Sequence, residues 1–221
     1  MSDRLQTQRR LVESARAVII EHGIEGCTQQ RICKDAGLTR GAFYSNYASK
    51  EELFTHVAQD AYQRIIRKLD QVVEHWTAPT PDPVNEAEAK VRVTKFLSQA
   101  QADLGLTREF FILHNELLSR AARVPEWAIQ FKDINRDFVL RVSKVLELIV
   151  QHVGRTLSYR PEAIAQAVIG ITLRATGVSA WKTELILEDG PFERRGTMLE
   201  SEDVVHMVLS LLFACSEPTS K

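Results

Sequence analysis

The clearest structural signal in this chain lies in QQRICKDAGLTRGAFYSNY, residues 29–47. Two short helical segments meet there at a tight corner. Gly37 can adopt a positive φ at no steric cost, Leu38 fills the angle above Ile32, and Thr39 caps the second segment. The sequence therefore predicts a helix-turn-helix, although any short corner between two helices can use similar residues.

Helical periodicity continues on both sides of this corner, and no segment shows convincing strand alternation. A first helix is predicted to end at Gly23, Thr28 is the predicted N-cap of the next, and a long helix follows Ser49. The apolar face of the first helix contains Leu11, Ala15, Val18 and His22. The apolar stripe of the long helix contains Phe54, Ala58, Ala61, Ile65, Leu69, Val72 and Trp76.

The remaining segments complete an all-α prediction of roughly nine helices. The Pro-rich residues 77–84 cannot continue a helix and are predicted to form a loop, as are residues 188–200 with their glycines, proline and charges. Further helices are predicted over residues 85–104, 106–123, 125–153, 161–187 and from Ser201 onward.

Charge is distributed unevenly along the chain, although its formal net charge is only −1. Residues 1–50 hold eight basic and five acidic side chains, which leaves +3 there and −4 in the remainder. A basic head on an acidic body has the sign expected of a DNA-binding protein, but solvated helix faces often show the same pattern.

Three features of the sequence bear on location. No basic-then-apolar leader precedes Leu5, and the apolar residues 206–215 are too few to span a bilayer. The three cysteines, Cys27, Cys33 and Cys215, are odd in number and not motif-spaced, which suits a reducing compartment. We therefore expect a cytoplasmic protein without a membrane partner.

Around the corner the chain resembles the TetR family of transcriptional regulators, in the pattern Ile32-x-x-x-Ala36-Gly37-Leu38-Thr39-x-Gly41-x-x-Tyr44-x-x-Tyr47-x-Ser49-Lys50-Glu51-x-Leu53. The similarity extends back through Gly23 and Thr28 and covers residues 5–54. It implies a helix-turn-helix DNA-binding domain over residues 1–50 and a helical ligand-binding and dimerisation domain over residues 51–221.

Departures from the family pattern are small. Asn46 stands where the family often has His, Tyr47 where Phe is common, and Cys33 where Ala is usual. None of these threatens the fold, but Asn46 puts any operator sequence borrowed from a relative in doubt.

The resemblance also implies a set of DNA contacts. In a helix-turn-helix the first residues of the second helix enter the major groove. Arg40 has the forked side chain that grips guanine, and Gly41 permits close approach of the backbone. Lys50 and Thr28 stand at helix N-termini, where phosphates bind. The predicted DNA-binding residues are Thr28, Thr39, Arg40, Gly41, Tyr44, Ser45, Asn46 and Lys50.

Structural alternatives stand beside several of these roles. Tyr44 can be a packing residue, Arg40 a solvated charge and Lys50 an ordinary surface lysine. Phe43 and Tyr47 are predicted to belong to the core. A redox-sensing role for Cys27 and Cys33 is the alternative to small buried packing residues, which we favour.

The body of the chain has no catalytic constellation, so we expect neither an enzyme nor a bound cofactor or metal. His-x-x-x-His, Cys-x-x-Cys and a Gly-rich phosphate loop after a strand are all missing from the sequence. By resemblance, the body binds a small-molecule effector of unknown identity. The predicted pocket residues are Phe110, His114, Trp127, Phe131, Asn135, Phe138 and Arg174.

Each pocket residue also has a plainer interpretation. The aromatic residues are individually more typical of a core than of a pocket wall, and His114 is typical of a hydrogen-bonded core histidine. Arg174 can face solvent or a carboxylate of a second subunit instead of an anionic ligand, since an unpaired buried charge is costly.

The last predicted helix is apolar on most sides and must be buried on most sides. A second copy of the chain is a natural cover, and by resemblance the interface is a four-helix homodimer that includes the face Ile164-Val168-Ile171-Ala175-Val178. A two-fold dimer places its recognition helices about 34–36 Å apart or slightly farther, which requires a near-palindromic double-stranded operator.

These expectations combine into a repressor that a small molecule releases from its operator. Two alternatives remain: an activator or a regulator tuned by a protein partner, and a helical ligand-binding or interaction module whose DNA head is vestigial. Neither the inducer nor the operator is readable from the sequence.

Overall fold

The computed structural model describes residues 2–75, 85–104, 106–185 and 201–219. Within these ranges the chain forms nine helices and two short strands. The predicted loops 77–84 and 188–200, together with Trp76 and Gly105, lie outside the described residues. The helices are α1 Ser2–Gly26, α2 Gln29–Ala36, α3 Arg40–Tyr44, α4 Lys50–His75, α5 Glu86–Leu104, α6 Arg108–Arg123, α7 Pro125–Gln151, α8 Pro161–Leu185 and α9 Ser201–Ala214.

Side-chain caps explain where several helices begin. Ser49 Oγ accepts from the Glu52 N–H at 3.1 Å, and Asn85 Oδ1 accepts from the Glu88 N–H at 2.9 Å. Each cap satisfies a backbone donor that the first turn of a helix leaves unpaired. The backbone at Gly23 is not helical (φ 71°, ψ 166°), so the predicted break is present as a kink inside α1.

The chain divides into two compact units, each formed from two segments. The first contains Met1–Arg64 and Glu109–Arg136, and the second contains Ile65–Arg108 and Asp137–Lys221. The predicted domain boundary at residue 50 lies inside the first unit and stays a prediction about function. Fully buried side chains in the first unit include Leu11, Ile19, Ile24, Ile32 and Leu53, and those in the second include Val93 and Leu212.

A two-stranded antiparallel sheet was not expected from the sequence. Strand β1, Arg155–Leu157, pairs with β2, Ser216–Pro218, so that Thr156 faces Glu217. Three residues per strand are too few for alternation to appear in a sequence pattern. The guanidinium of Arg155 donates to Ser216 Oγ and lies 4.7 Å from the Phe213 ring centroid, which fastens β1 to the end of α9.

Candidate nucleic-acid interface and ligand cavity

The corner between α2 and α3 is fixed by backbone geometry and two threonine caps. Gly37 lies in the left-handed region (φ 61°, ψ 38°), which other residues rarely adopt. Thr28 Oγ1 accepts from the Arg31 N–H at 3.3 Å, and Thr39 Oγ1 accepts from the Ala42 N–H at 3.1 Å. The predicted helix-turn-helix is therefore confirmed, with both caps in place.

Arg10 of α1 holds the same corner, and sequence reasoning missed this role. Its Nη2 donates to the Ala36 carbonyl oxygen at 2.5 Å, at the C-terminal end of α2. A cation is favoured there because the last carbonyl groups of a helix carry partial negative charge. The only signal in the sequence was a basic residue in the first helix, which is too common to single out.

The inner side of α3 is packed into the first unit. Phe43 and Tyr47 are each 1% exposed and Ile32 is fully buried, which confirms the predicted core role of both aromatic residues. The Tyr47 hydroxyl lies 3.1 Å from His56 Nδ1. Burial raises the pKa of Tyr47 to about 12, so this hydroxyl stays protonated at neutral pH.

The outer side of α3 is open. Arg40 and Gly41 are exposed, and the Tyr44 side chain is 63% exposed. Within the described part of the chain the Arg40 guanidinium forms no hydrogen bond or ion pair. A Cβ placed on Gly41 would meet nothing closer than Thr39 Oγ1 at 3.7 Å, so internal packing does not require glycine there.

Ser45, which is exposed, and Asn46, which is half-buried, both bond back to carbonyl groups of α3. The Ser45 hydroxyl donates to the Gly41 carbonyl oxygen at 2.6 Å, and Asn46 Nδ2 donates to the Ala42 carbonyl oxygen at 2.8 Å. Asn46 Oδ1 is buried without a partner among the described residues. The bond to the Ala42 carbonyl oxygen engages one of the two amide hydrogens of Asn46, and its predicted phosphate contact stays a prediction.

Lys50 and Thr28 lie at the N-termini of α4 and α2. Lys50 Nζ donates to the Cys27 carbonyl oxygen at 3.4 Å and lies 5.7 Å from the Phe54 ring centroid. An ammonium group has three donors, so this contact leaves others for a phosphate. Thr28 is exposed, and its hydroxyl proton remains available while its oxygen caps α2.

The helices that form this arrangement resemble those of a known family of proteins. Residues 11–57 match the family described as "Bacterial regulatory proteins, tetR family". Over 120 residues the chain is 29% identical to the HTH-type transcriptional repressor AcnR of Corynebacterium glutamicum. Residues 11–57, from α1 into the first turns of α4, are thus similar to the TetR family.

The extent of these similarities differs between sequence and fold. The alignment with AcnR covers 53% of this chain and 63% of the repressor, so the chain spans less than two thirds of its length. A transcriptional regulator from Rhodococcus sp. Rha1 matches with a TM-score of 0.62 at 17% identity, over 94% of this chain and 95% of that one. The multidrug binding protein EbrR, complexed with imidazole, matches with a TM-score of 0.56 at 18% identity, over 93% of each chain. At such identities the two structures show a shared fold alone.

The second unit of the chain contains an apolar cavity of about 110 Å³. Gln101 and Thr172 are the polar residues in its described lining, and no charged side chain is among them. The lining residues are Ile65, Leu69, Leu97, Ala100, Gln101, Leu104, Leu106, Phe138, Val142, Val145, Leu146, Ile149, Val168, Ile169, Thr172, Leu173, Val204, Val205 and Val208.

The predicted pocket residues are not brought together in this cavity. Phe138 lines it, whereas the Arg174 side chain is exposed, which agrees with the solvent-facing alternative. Asn135 is half-buried in the first unit. The sequence could not separate cavity from core because both use the same apolar residues. The other four predicted residues, Phe110, His114, Trp127 and Phe131, are buried in the first unit.

These four residues pack around Tyr62. The Tyr62 ring meets Phe110 and Phe131 at centroid distances of 5.7 and 5.6 Å, and its hydroxyl lies 2.7 Å from His114 Nδ1. Trp127 stacks on Phe131 at 5.7 Å. Burial lowers the pKa of His114 to about 4, so the imidazole is neutral at pH 7. The arrangement supports the interpretation of His114 as a hydrogen-bonded core residue.

The thiols of Cys27 and Cys33 are buried. Burial raises the pKa of Cys27 to about 12 and also raises the pKa of Cys33. Because the thiolate is the form that oxidises readily, these environments disfavour the redox-sensor alternative.

The described residues also bear on metal binding and on membrane insertion. No group of three or more His, Cys, Asp or Glu side chains in those ranges is arranged to hold a metal ion. None of the helices in the same ranges combines the length and apolar character needed to cross a membrane.

Proposed function

We propose that this chain is a sequence-specific DNA-binding transcriptional repressor that reads its operator with α3. The observation that carries the proposal is the division of α3 into two faces. Phe43 is buried in the first unit, while Arg40, Gly41 and Tyr44 are exposed on the other side. A short helix anchored on one face and open on the other is suited to enter a major groove.

The exposed side chains have complementary roles on DNA. Arg40 has all five guanidinium donors available for a base edge, and its fork matches guanine O6 and N7. The hydroxyl of Tyr44 donates to a phosphate. Lys50 and Thr28 add phosphate contacts at two helix N-termini, where backbone N–H groups also favour an anion. Thr39 contributes through its hydroxyl proton while its oxygen caps α3.

A homodimer sets the spacing between two copies of the helix-turn-helix. In α9 the Met207 side chain is 43% exposed and Leu211 is half-buried, although both are apolar. Ile171 and Val178 of α8 are likewise half-buried. A second copy covering these side chains removes apolar surface from water and presents two α3 helices to a near-palindromic site.

The cavity of the second unit specifies the class of effector. Its lining offers no partner for a charge, and burial of an unpaired charge is costly, so the effector is uncharged and mainly apolar. A cavity of about 150 Å³ in another protein binds benzene, so 110 Å³ suits a ligand of that order of size unless the walls move. The imidazole complex of EbrR supports small-molecule binding in this fold.

Repression and release are linked through reciprocal coupling. Helix α4 carries Lys50 at its start and Ile65 and Leu69, which line the cavity, farther along. An effector that binds more tightly to a conformation unfit for DNA lowers the affinity for DNA. Bound DNA lowers the affinity for the effector by the same factor, and the coupling free energy is typically about 1–3 kcal/mol.

Selection from random duplex DNA, followed by titration of the enriched duplex with toluene, tests the proposal. We expect a near-palindromic sequence to be enriched and toluene to weaken its binding. Failure to enrich any sequence would favour a vestigial DNA head. Enrichment combined with tighter binding in toluene would contradict release by the effector, and would leave an activator or a repressor that needs a co-repressor.

A further inference from the structure

We infer that Arg120 of α6 positions the N-terminal ends of α2 and α4 for DNA binding, without touching DNA itself. The inference rests on the proposed DNA binding and assigns to it a residue outside the helix-turn-helix. It follows from the contacts of one guanidinium inside the first unit.

Arg120 joins α1 and α4 to α6. Its Nη1 lies 3.2 Å from Glu25 Oε1, near the end of α1, and its Nη2 lies 3.0 Å from Glu51 Oε1, in the first turn of α4. Its Cζ also lies 5.7 Å from the Phe54 ring centroid. One planar cation thus fixes the separation of two helix ends, because its donors are held in a rigid fork.

The carboxylates that Arg120 holds are next to the proposed phosphate contacts. Glu51 follows Lys50 directly in α4, and Glu25 precedes Thr28 by one helical turn of sequence. Lys50 in turn donates to the Cys27 carbonyl oxygen in the same connection. Without Arg120, Glu51 would lose its ion pair, Glu25 would keep only the longer contact with Arg123, and the two helix ends would lose their common tether.

A second contact from the same face of α6 reinforces this geometry. Glu116 precedes Arg120 by four residues, which places both side chains on one side of the helix. Glu116 Oε2 accepts from the Ile24 N–H at 2.8 Å, directly after the kink at Gly23. Helix α6 therefore contacts the end of α1 at two successive residues, Ile24 through Glu116 and Glu25 through Arg120.

The environment of Arg120 favours positioning over simple stabilisation. Its side chain is 11% exposed, and its Nε is buried without a partner among the described residues. The side chains of Glu25 and Glu51 are 70% and 39% exposed, and ion pairs with exposed partners contribute little to stability. A buried N–H left unpaired is costly, so Arg120 contributes less to stability than a fully bonded guanidinium would.

The test compares Arg120→Gln with Arg123→Gln in the full chain. Arg123 lies 3.8 Å from the same Glu25 but is 58% exposed, which makes it a matched control. Binding to the enriched duplex and to a scrambled duplex is measured over a salt series. Thermal unfolding and stoichiometric titration of active protein accompany each variant. Glu51→Gln and the double variant complete a mutant cycle.

We expect Arg120→Gln to lower affinity for the enriched duplex about tenfold, with an unchanged salt slope and full active fraction. Arg123→Gln stays within about twofold of the original chain, and Glu51→Gln adds no further loss to Arg120→Gln. A salt slope reduced by about one would overturn the inference in favour of a direct phosphate contact. Unchanged affinity, or a loss fully explained by a smaller active fraction, would also overturn it. If the original chain binds no DNA selectively, the proposed function itself fails.

Discussion

Phe43 and Tyr44 are neighbours in α3 with opposite environments. Their rings meet edge to face at a centroid distance of 5.6 Å, yet Phe43 is 1% exposed and Tyr44 is 63% exposed. The buried ring fixes the rotation of α3, and the exposed ring is directed outward by that rotation. These two consecutive residues therefore allow folding and the proposed DNA binding to be tested separately.

Substitution of these two residues should separate stability from binding. Tyr44→Phe is expected to lower DNA affinity about tenfold, because a hydrogen bond to a charged phosphate contributes about 1.5–3 kcal/mol. Its free energy of unfolding should change by less than about 0.5 kcal/mol. Phe43→Ala should lower that free energy by about 3–5 kcal/mol. Urea unfolding and fluorescence anisotropy measure both quantities, and a large stability loss in Tyr44→Phe would contradict the assignment.

Gly41→Ala should weaken DNA binding without harming the fold. The added methyl group has room in the free chain, and alanine stabilises a helix by up to about 1 kcal/mol relative to glycine. On DNA the same methyl group obstructs close approach of the backbone. We expect unfolding at equal or higher urea concentration together with at least about tenfold weaker operator binding. Unchanged operator binding would show that Gly41 does not face DNA.

His114 should make the protein less stable in mild acid. Its pKa is lowered from 6.5 to about 4 by burial, so the unfolded chain binds a proton that the folded chain refuses between these values. Stability is therefore complete above pH 6.5 and falls as the pH drops towards 4, by roughly 3 kcal/mol for this group.

The check for His114 is the difference between two pH profiles of unfolding free energy. His114→Gln removes the titrating group and keeps a hydrogen-bonding side chain beside Tyr62, so its profile should be flatter between pH 6.5 and 4. The same substitution at the more exposed His22 is the control. Parallel profiles for the original chain and His114→Gln would refute the assignment.

Two substitutions in the cavity lining, one that enlarges the cavity and one that fills it, test whether the effector binds there. Leu97→Ala enlarges the cavity, should cost about 2–5 kcal/mol of stability, and should extend binding to larger apolar compounds. Ala100→Leu fills space and should abolish the effect of toluene on DNA binding. Calorimetric titration with toluene and with butylbenzene measures the change, and identical ligand selectivity in both variants would rule out this cavity as the effector site.

Dimer formation should depend on the exposed apolar residues of α9. Met207→Glu combined with Leu211→Glu is expected to give a monomer with greatly weakened operator binding, since charge is excluded from an apolar interface. Leu212 is unsuitable for this test because it is fully buried inside its own chain. Leu118→Glu with Ile129→Glu, two exposed positions of the first unit, is the matched control. Sedimentation velocity that shows an intact dimer for the α9 variant would exclude this interface.

Local signals made the helix-turn-helix of α2 and α3 predictable from the sequence. Thr28 and Thr39 cap helices through contacts within three residues, and Gly37 is required by one backbone conformation. Such rules depend on sequence neighbours alone, so α2 and α3 begin where the pattern predicts. The core positions of Phe43 and Tyr47 follow from the same short periodicity.

Long-range contacts explain what the sequence could not reveal. Arg10 and Arg120 act on groups 26 and 95 residues away in the chain, and no local pattern distinguishes them from surface arginines. Aromatic residues such as Trp127 appear alike in a core and in a pocket wall until neighbouring helices are in place.

The most direct test of the central claim is the binding of Arg40→Ala to the enriched duplex and to a scrambled duplex, measured by fluorescence anisotropy over a salt series. The account predicts that the original chain prefers the enriched duplex and that affinity falls steeply with salt. Arg40→Ala should lose about 1–3 kcal/mol of that preference while it keeps most of its affinity for the scrambled duplex. Equal loss on both duplexes, or no loss on either, would contradict the claim that α3 reads DNA sequence through Arg40.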